Sequence, residues 1–292
     1  MTRIADQLAA GPTYSFEFFP PKSDAEQTVL SRTLRDLEPL EPSFVSVTYR
    51  GGRESRQRTF DLVTGMLHTT SLNPMAHLIC VAHSRLELAD ILVAYRKAGV
   101  ENLMALGGDP PAEPDAGPGE LAHALELVEL ARAVGGFSIG VAAHPAGHPS
   151  SLDMRSDRDY LAEKLRMADF GVTQFFYEVA EYERLMSDLA ARNVSTPMLP
   201  GILPVTSLAS VPRMATMGAP VPDWAVARLE AASATGGDEA ARREGVEIFT
   251  ELSQQLLDAG APGLHFYTLN RSKATREIYT ALGLAPELSV AG

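Results

Sequence analysis

The sequence predicts a closed (β/α)8 barrel. Short β-rich runs alternate with stretches of helical spacing, the alternation repeats eight times in 292 residues, and no G-x-G-x-x-G turn follows the first strand, as an open doubly wound sheet binding a dinucleotide would want. The first strand, Tyr14–Phe19, is closed by Pro20-Pro21 and followed by a helix over Ala25–Leu37. Phe44–Thr48 precedes helix Ser55–Leu67, His77–Ala82 precedes Arg85–Ala98, and Asn102–Leu106 precedes Glu120–Ala133. In the second half Phe137–Ala142 leads to Arg155–Ala168, Val172–Phe176 to Ala180–Arg192, Met198–Leu203 to Leu208–Met217, and Leu264–Tyr267 to Arg271–Leu282. Loops are expected at Gly107–Gly119, His144–Ser151, Ala219–Asp223 and Gly236–Asp238. None is long or biased enough to be an interdomain linker, so residues 1–292 are expected to form one domain.

Composition narrows the function. Lys plus Arg number 25 and Asp plus Glu 37, a net charge of −12 that repels phosphate backbones and anionic lipid. Nucleic acid and membrane are therefore not expected as partners. The single cysteine, Cys80, has no internal disulfide partner, and the N-terminus lacks the apolar region of a secretion signal, which together predict a cytoplasmic protein. No apolar run approaches the roughly 18 to 20 residues that cross a bilayer.

In such a barrel the chemistry belongs at the carboxyl ends of the strands. Alternation along the first strand sends Phe16 and Phe18 to one face and Glu17 with Phe19 to the other. A carboxylate inside the barrel among aromatic neighbours is costly to charge, so its pKa is expected to rise toward the range of a general acid. Pairing with a core Lys or Arg is the structural alternative. Thr48 closes the second strand and Asp109 follows the fourth, so both are expected at the mouth, although Asp109 suits a turn before prolines equally well. The Gln174 amide, ending the sixth strand, can read the edge of a heterocycle or act as a structural bridge. His144 and His148 are separated by Pro and Gly that oppose a helical spacing, and no acid or thiol cluster adjoins them, so no metal is expected. His77 and His265 lie in strands, as satisfied core imidazoles or as functional ones.

Six ordered blocks, Ser15-Phe-Glu-Phe-Phe-Pro-Pro-Lys, Phe44-Val-Ser-Val-Thr-Tyr, Ala105-Leu-Gly-Gly-Asp-Pro-Pro, Thr173-Gln-Phe-Phe-Tyr, Pro200-Gly-Ile-Leu-Pro-Val and His265-Phe-Tyr-Thr-Leu-Asn-Arg, together resemble the methylenetetrahydrofolate reductases over nearly the whole chain. The resemblance implies a (β/α)8 barrel that reduces 5,10-methylenetetrahydrofolate to 5-methyltetrahydrofolate with NADH or NADPH, usually through FAD, in one-carbon metabolism that supplies methionine synthesis. It implies that Glu17 is the general acid, that Asp109 and Gln174 bind the pterin, and that Tyr267 and Arg271 bind the substrate, Arg271 through the folate's glutamate tail. It assigns Thr48, His77, Gly108, Asp109, His144, His148, Lys164 and Gln174 to the cofactor. The regulatory domain that larger members append is not expected.

The departures from the family pattern fall on FAD. Gly107-Gly108-Asp109 stands where flavin-dependent members have Arg-Gly-Asp, and His144 stands where they have tyrosine. The helix carrying a D-x-x-N-x-x-R-K pattern shows Asp157, Tyr160, Glu163 and Lys164, and Leu208 replaces a stacking aromatic. Two lost charge-assisted hydrogen bonds remove about 3 to 6 kcal/mol, on the order of 10² to 10⁴ in affinity. The expectation is weak or no FAD binding, with hydride passing directly from NAD(P)H to the folate. A flavin-linked proline dehydrogenase barrel leaves Glu17, Asp109 and Gln174 without a role. A catalytically silent folate-binding barrel is the alternative from another class. The helical ring admits homo-oligomers, but no face is apolar enough to name.

Overall fold

A computed structural model describes residues 2–49, 53–109, 117 and 119–286. Eight parallel strands close into a barrel in chain order: β1 (Thr13–Phe18), β2 (Phe44–Val47), β3 (Pro74–Ile79), β4 (Asn102–Leu106), β5 (Ser138–Ala143), β6 (Phe170–Phe175), β7 (Met198–Ile202) and β8 (Gly263–Tyr267), with β8 pairing back onto β1. The helices are α1 (Ile4–Ala10), α2 (Asp24–Leu37), α3 (Arg53–Thr69), α4 (Arg85–Lys97), α5 (Ala124–Val134), α6 (Met154–Met167), α7 (Val179–Ala190), α8 (Val211–Met217), α9 (Asp223–Asp258) and α10 (Lys273–Ala281). Most of the expected Gly107–Gly119 loop, residues 110–116 and 118, lies outside the described residues.

The predicted barrel is therefore present, with shifted boundaries. The third strand starts at Pro74, where a proline costs no ladder bond, and is over before Ala82, which turns the chain at φ 61°. The fifth helix starts at Ala124 rather than Glu120 because the Glu126 carboxylate accepts the amides of Ala122 and His123 just ahead of it. The seventh expected helix, Leu208–Met217, splits into a 3-10 turn at Leu208–Ser210 and α8.

Two helices fall outside the strand-then-helix alternation. α1 seals the amino-terminal end of the barrel: Ile4 is fully buried, and the free amides of Ile4 and Ala5 donate to Asn102 Oδ1 (2.9 Å) and Ser138 Oγ (3.0 Å) at the starts of β4 and β5. α9 is two helical halves joined at Gly236 and Gly237, the turn expected there, with Gly237 at φ 66°. Arg228 in the first half bonds Glu244 (2.5 Å) and Glu251 (2.7 Å) in the second. In a straight helix residues 16 apart stand about 24 Å apart, so the halves fold back on each other.

The alternation of β1 sorts its side chains. Phe16 and Phe18 join the large core between strands and outer helices. Inside the barrel a separate apolar layer of Phe44, Met75, Met104, Phe170, Val172 and Leu199 packs on Ile4. Above that floor the inward positions turn polar, and there the site begins.

Candidate active site

Glu17, next to last in β1, is 8% exposed and points into the barrel. Its Oε2 accepts a hydrogen bond from Ser46 Oγ of β2 (3.3 Å) and lies 3.5 Å from His77 Nε2 of β3 and 3.6 Å from His265 Nε2 of β8. The expectation of aromatic neighbours is corrected: Phe16 and Phe18 face the outer core, and two imidazoles and the Ser46 hydroxyl lie against the carboxylate. The expected rise in its pKa is corrected with it. Burial pushes the value up, but the His265 hydrogen bond, the charges of His77 and His265 and the Ser46 hydrogen bond outweigh it, and the net direction is down. Burial pulls the His77 imidazole below its ordinary value, helped by the like charge of His265 and opposed by Glu17.

The backbone under Glu17 is fastened to the loop after β8. Thr268 Oγ1 donates to the Glu17 carbonyl (2.6 Å), while Asn270 exchanges two bonds with the backbone of Phe19. His265 is fully buried, stacked on Phe44 with ring centroids 6.0 Å apart and met edge-on by Tyr267 at 5.2 Å. Tyr267 donates to the Thr173 carbonyl (2.7 Å) and lies over Gly201, where a Cβ would fall 2.5 Å from its ring. Burial first, then the Glu17 charge, raises its hydroxyl far above the usual phenol range.

Two buried polar atoms, His77 Nε2 beside the carboxylate and Thr48 Oγ1 just past the end of β2, have no hydrogen-bond partner among the described residues. Thr48 ends the second predicted strand at the mouth as expected. Asp109 and Gly108 are exposed beyond the end of β4. Gly108 sits at φ 88° with Ile79 Cβ only 3.0 Å from where a Cβ would be, which requires glycine there. The Gln174 amide is used locally: Nε2 donates to Met217 O (3.2 Å) and Oε1 accepts from the Phe175 amide (3.0 Å). Arg271 is exposed in the loop after β8, its amide bonded to Thr268 O.

The loop after β5 holds a second group of the expected residues. The His144 and His148 rings meet edge-on at 4.8 Å. Burial, then the charges of His148 and Lys164, takes the His144 imidazole down to about 4, leaving it neutral near pH 7. Lys164 Nζ turns inward to the Ala142 carbonyl (2.7 Å), and burial lowers it to about 8. The neighbouring Arg158 is 1% exposed and spends its guanidinium on Asp157, Asp188 and the carbonyls of His144 and Pro145. Tyr160 packs edge-on to His123, and Glu163 is exposed. No cluster of three or more potential metal ligands occurs among the described residues.

The sequence reading missed Ser15, Ser46, Thr268 and Asn270. The signal was available for Ser15 and Ser46, which share the inward parity of Glu17 and Thr48 on their strands; nothing local marks the other two.

Active sites of (β/α)8 enzymes lie at this carboxyl-terminal rim, and a buried carboxylate held there by imidazoles instead of Lys or Arg marks the chain as a barrel enzyme. A family model described as methylenetetrahydrofolate reductase matches residues 2–283, and the chain belongs to that family of oxidoreductases. It is 35% identical to the 5,10-methylenetetrahydrofolate reductase of Pectobacterium carotovorum subsp. carotovorum, over 94% of this chain and 91% of that one. It is 33% identical to that of Escherichia coli (strain K12), over 94% and 92%. A probable methylenetetrahydrofolate reductase (NADH) of Oryza sativa subsp. japonica is 30% identical, over 99% of this chain and 51% of the rice protein. Among solved structures, an uncharacterized protein from Clostridium thermocellum that binds two copies of 5-methyl-5,6,7,8-tetrahydrofolic acid shares the fold, with a TM-score of 0.65 and 14% identity over 96% of this chain and 98% of that one. Among the described residues no helix is long and apolar enough to cross a membrane.

Proposed function

We propose that this protein reduces 5,10-methylenetetrahydrofolate to 5-methyltetrahydrofolate, with hydride passing from NADH or NADPH to the folate without FAD. The observation that carries the reading is the Glu17 carboxylate, buried at the rim against His77, His265 and Ser46, with Thr48 Oγ1 and His77 Nε2 buried without a hydrogen bond among the described residues. The folate bound by the Clostridium thermocellum protein of the same fold supports the substrate class.

The reaction consumes one proton and one hydride. Glu17 Oε2 gives the proton to the bridging nitrogen whose bond to the methylene carbon breaks, the bonding pair staying on that nitrogen. The methylene carbon, left as an iminium, accepts the hydride that a bound reduced nicotinamide supplies. Asp109 and Gln174 hold the pterin, Gln174 by exchanging its bond to Met217 O for the ring edge. Arg271, exposed past β8, takes a carboxylate of the glutamate tail. Thr48 Oγ1 and His77 Nε2 gain partners when the mouth fills, which favours the complex because buried polar atoms without partners are costly.

The residues present do not fit FAD. Lys164 and Arg158 are turned inward and already bonded, His144 is neutral, and Glu163 sets an acid where a diphosphate would need a cation. Steady-state oxidation of NADH or NADPH by the purified protein, dependent on methylenetetrahydrofolate, tests the reaction. A colourless preparation that turns over without added flavin supports direct transfer, and a stoichiometric yellow flavin required for turnover overturns it. Glu17→Gln that still binds folate but no longer oxidises the nicotinamide separates an enzyme from a silent binder.

A further inference from the structure

A chain of hydrogen-bonding groups runs from Ser15 through His265 and Ser46 to Glu17. Ser15 Oγ lies 2.7 Å from His265 Nδ1 and donates to the Leu264 carbonyl at 3.4 Å. Ser46 Oγ lies 3.4 Å from His265 Nε2 and donates to Glu17 Oε2 at 3.3 Å. A hydroxyl has a single proton. Where both hydroxyl protons point at these oxygens, each serine accepts from the ring and both nitrogens of His265 donate, as in the imidazolium; with a neutral ring, Ser15 donates to Nδ1 instead.

Charge balance favours the imidazolium. A buried carboxylate needs a compensating charge, and no Lys or Arg pairs with Glu17 among the described residues. The groups facing His265 are Glu17 and Ser15 from β1, Ser46 and Phe44 from β2, and Tyr267 from β8, with His77 of β3 across the carboxylate. β7 presents Gly201 opposite His265 and so adds no side chain. Burial and the like charge of His265 both keep His77 neutral, so the two imidazoles do not compete for the charge.

We propose that His265 is a positioning residue of the reduction, storing as imidazolium the proton that Glu17 passes to the folate; the proposal rests on the reductase reading above. The Nε2 proton moves to Ser46 Oγ as the Ser46 proton moves to Glu17 Oε2, leaving a neutral imidazole and a neutral carboxyl. Glu17 then protonates the folate nitrogen. Glu17, the member of the chain nearest the rim, recharges the store from solvent once the product leaves.

Ring-nitrogen NMR of the protein labelled with 15N-histidine, at a pH where it turns over, tests the store directly. The expected spectrum has one imidazole with both nitrogens protonated, perturbed at Nδ1 by Ser15→Ala, which loses one proton in Glu17→Gln. A neutral His265 in the wild-type protein overturns the proposal. Kinetics give the second arm: His265→Gln, which can donate to Ser46 but has no proton to transfer, is expected to lower kcat by at least about tenfold, within the range of general-acid contributions. KM for the folate is expected to stay within about twofold, and the fall of kcat with rising pH that the proposal expects of the wild type is expected to vanish. A variant that keeps both kcat and that alkaline limb overturns the proposal. If the wild type oxidises no nicotinamide with methylenetetrahydrofolate, the reductase reading fails, while the ring spectra still decide whether His265 holds the proton.

Discussion

Asn270 holds the backbone of Phe19 at both ends: its Oδ1 accepts from the Phe19 amide at 2.8 Å and its Nδ2 donates to the Phe19 carbonyl at 2.9 Å. With the Thr268 bond to the Glu17 carbonyl, this ties the last strand of the barrel to the first at the point where the acid is mounted. Asn270 itself sits at φ 55°, in the left-handed region that asparagine tolerates. Asn270→Ala removes both bonds and leaves a strained position, so a loss of about 1 to 3 kcal/mol is expected. Because the acid's backbone is freed, kcat is expected to fall by more than the stability loss alone would cause at a temperature where the variant is folded. Thermal unfolding and kcat on the same preparation check it, and an unchanged kcat contradicts the positioning role.

Gly201 and Tyr267 make a tighter pair. A Cβ at position 201 would stand 2.3 Å from the Thr173 carbonyl oxygen and 2.5 Å from the Tyr267 ring. The ring can swing away, but the backbone oxygen belongs to a paired strand and cannot. Gly201→Ala is therefore expected to cost about 1 to 3 kcal/mol and to break the 2.7 Å bond from Tyr267 to Thr173. Urea unfolding measures the first effect. A raised KM for folate, from a displaced Tyr267 at the rim, measures the second.

Thr48 offers the opposite sign. Its hydroxyl is buried without a partner among the described residues, so the unliganded protein bears a desolvation cost that Val, of the same shape, does not. Thr48→Val is expected to leave the stability of the free protein unchanged or raise it by about 1 kcal/mol. If the hydroxyl meets a ligand, the same change should raise KM for the nicotinamide or the folate by about tenfold, the equivalent of one such bond. A variant no more weakly binding than the wild type would show that the hydroxyl is an orphan in the complex too.

The barrel was legible because each strand is short, apolar and punctuated, and because the period changes from 2 to 3.6 eight times in order. α1 was not, since seven residues are too few for a period to show and its amides are capped by Asn102 and Ser138, remote in sequence. The halves of α9 were missed because they insert helix where the alternation asks for a strand, although Gly236 and Gly237 gave away the turn between them. At the site, the position of Glu17 could be read from one strand, but its ionisation could not. That depends on Ser46, 29 residues on, and on imidazoles from β3 and β8, which only closure of the barrel brings to the same oxygen.

His144 makes the stability of the protein depend on pH in a window that can be named. Burial first, then the charges of His148, Lys164 and Arg158 against the opposing Asp157, lower its imidazole from the ordinary 6.5 to about 4. Between those values the unfolded chain holds a proton that the folded chain does not, so stability rises with pH across the window. The contribution is complete above 6.5 and drains away as the pH falls toward 4. One such group accounts for a slope of at most about 1.4 kcal/mol per pH unit. Glu17, held below its ordinary value, also loses its contribution on acidification, but at lower pH and equally in any variant that leaves it in place. Replacing His144 with Gln is therefore expected to flatten the decline of Tm between pH 6.5 and 4.5 while leaving Tm above pH 7 within a few degrees of the wild type. Parallel Tm curves for the two proteins through that window would mean that His144 takes up its proton in the folded chain as readily as in the unfolded one, and that the packing of the loop after β5 does not exclude the charge.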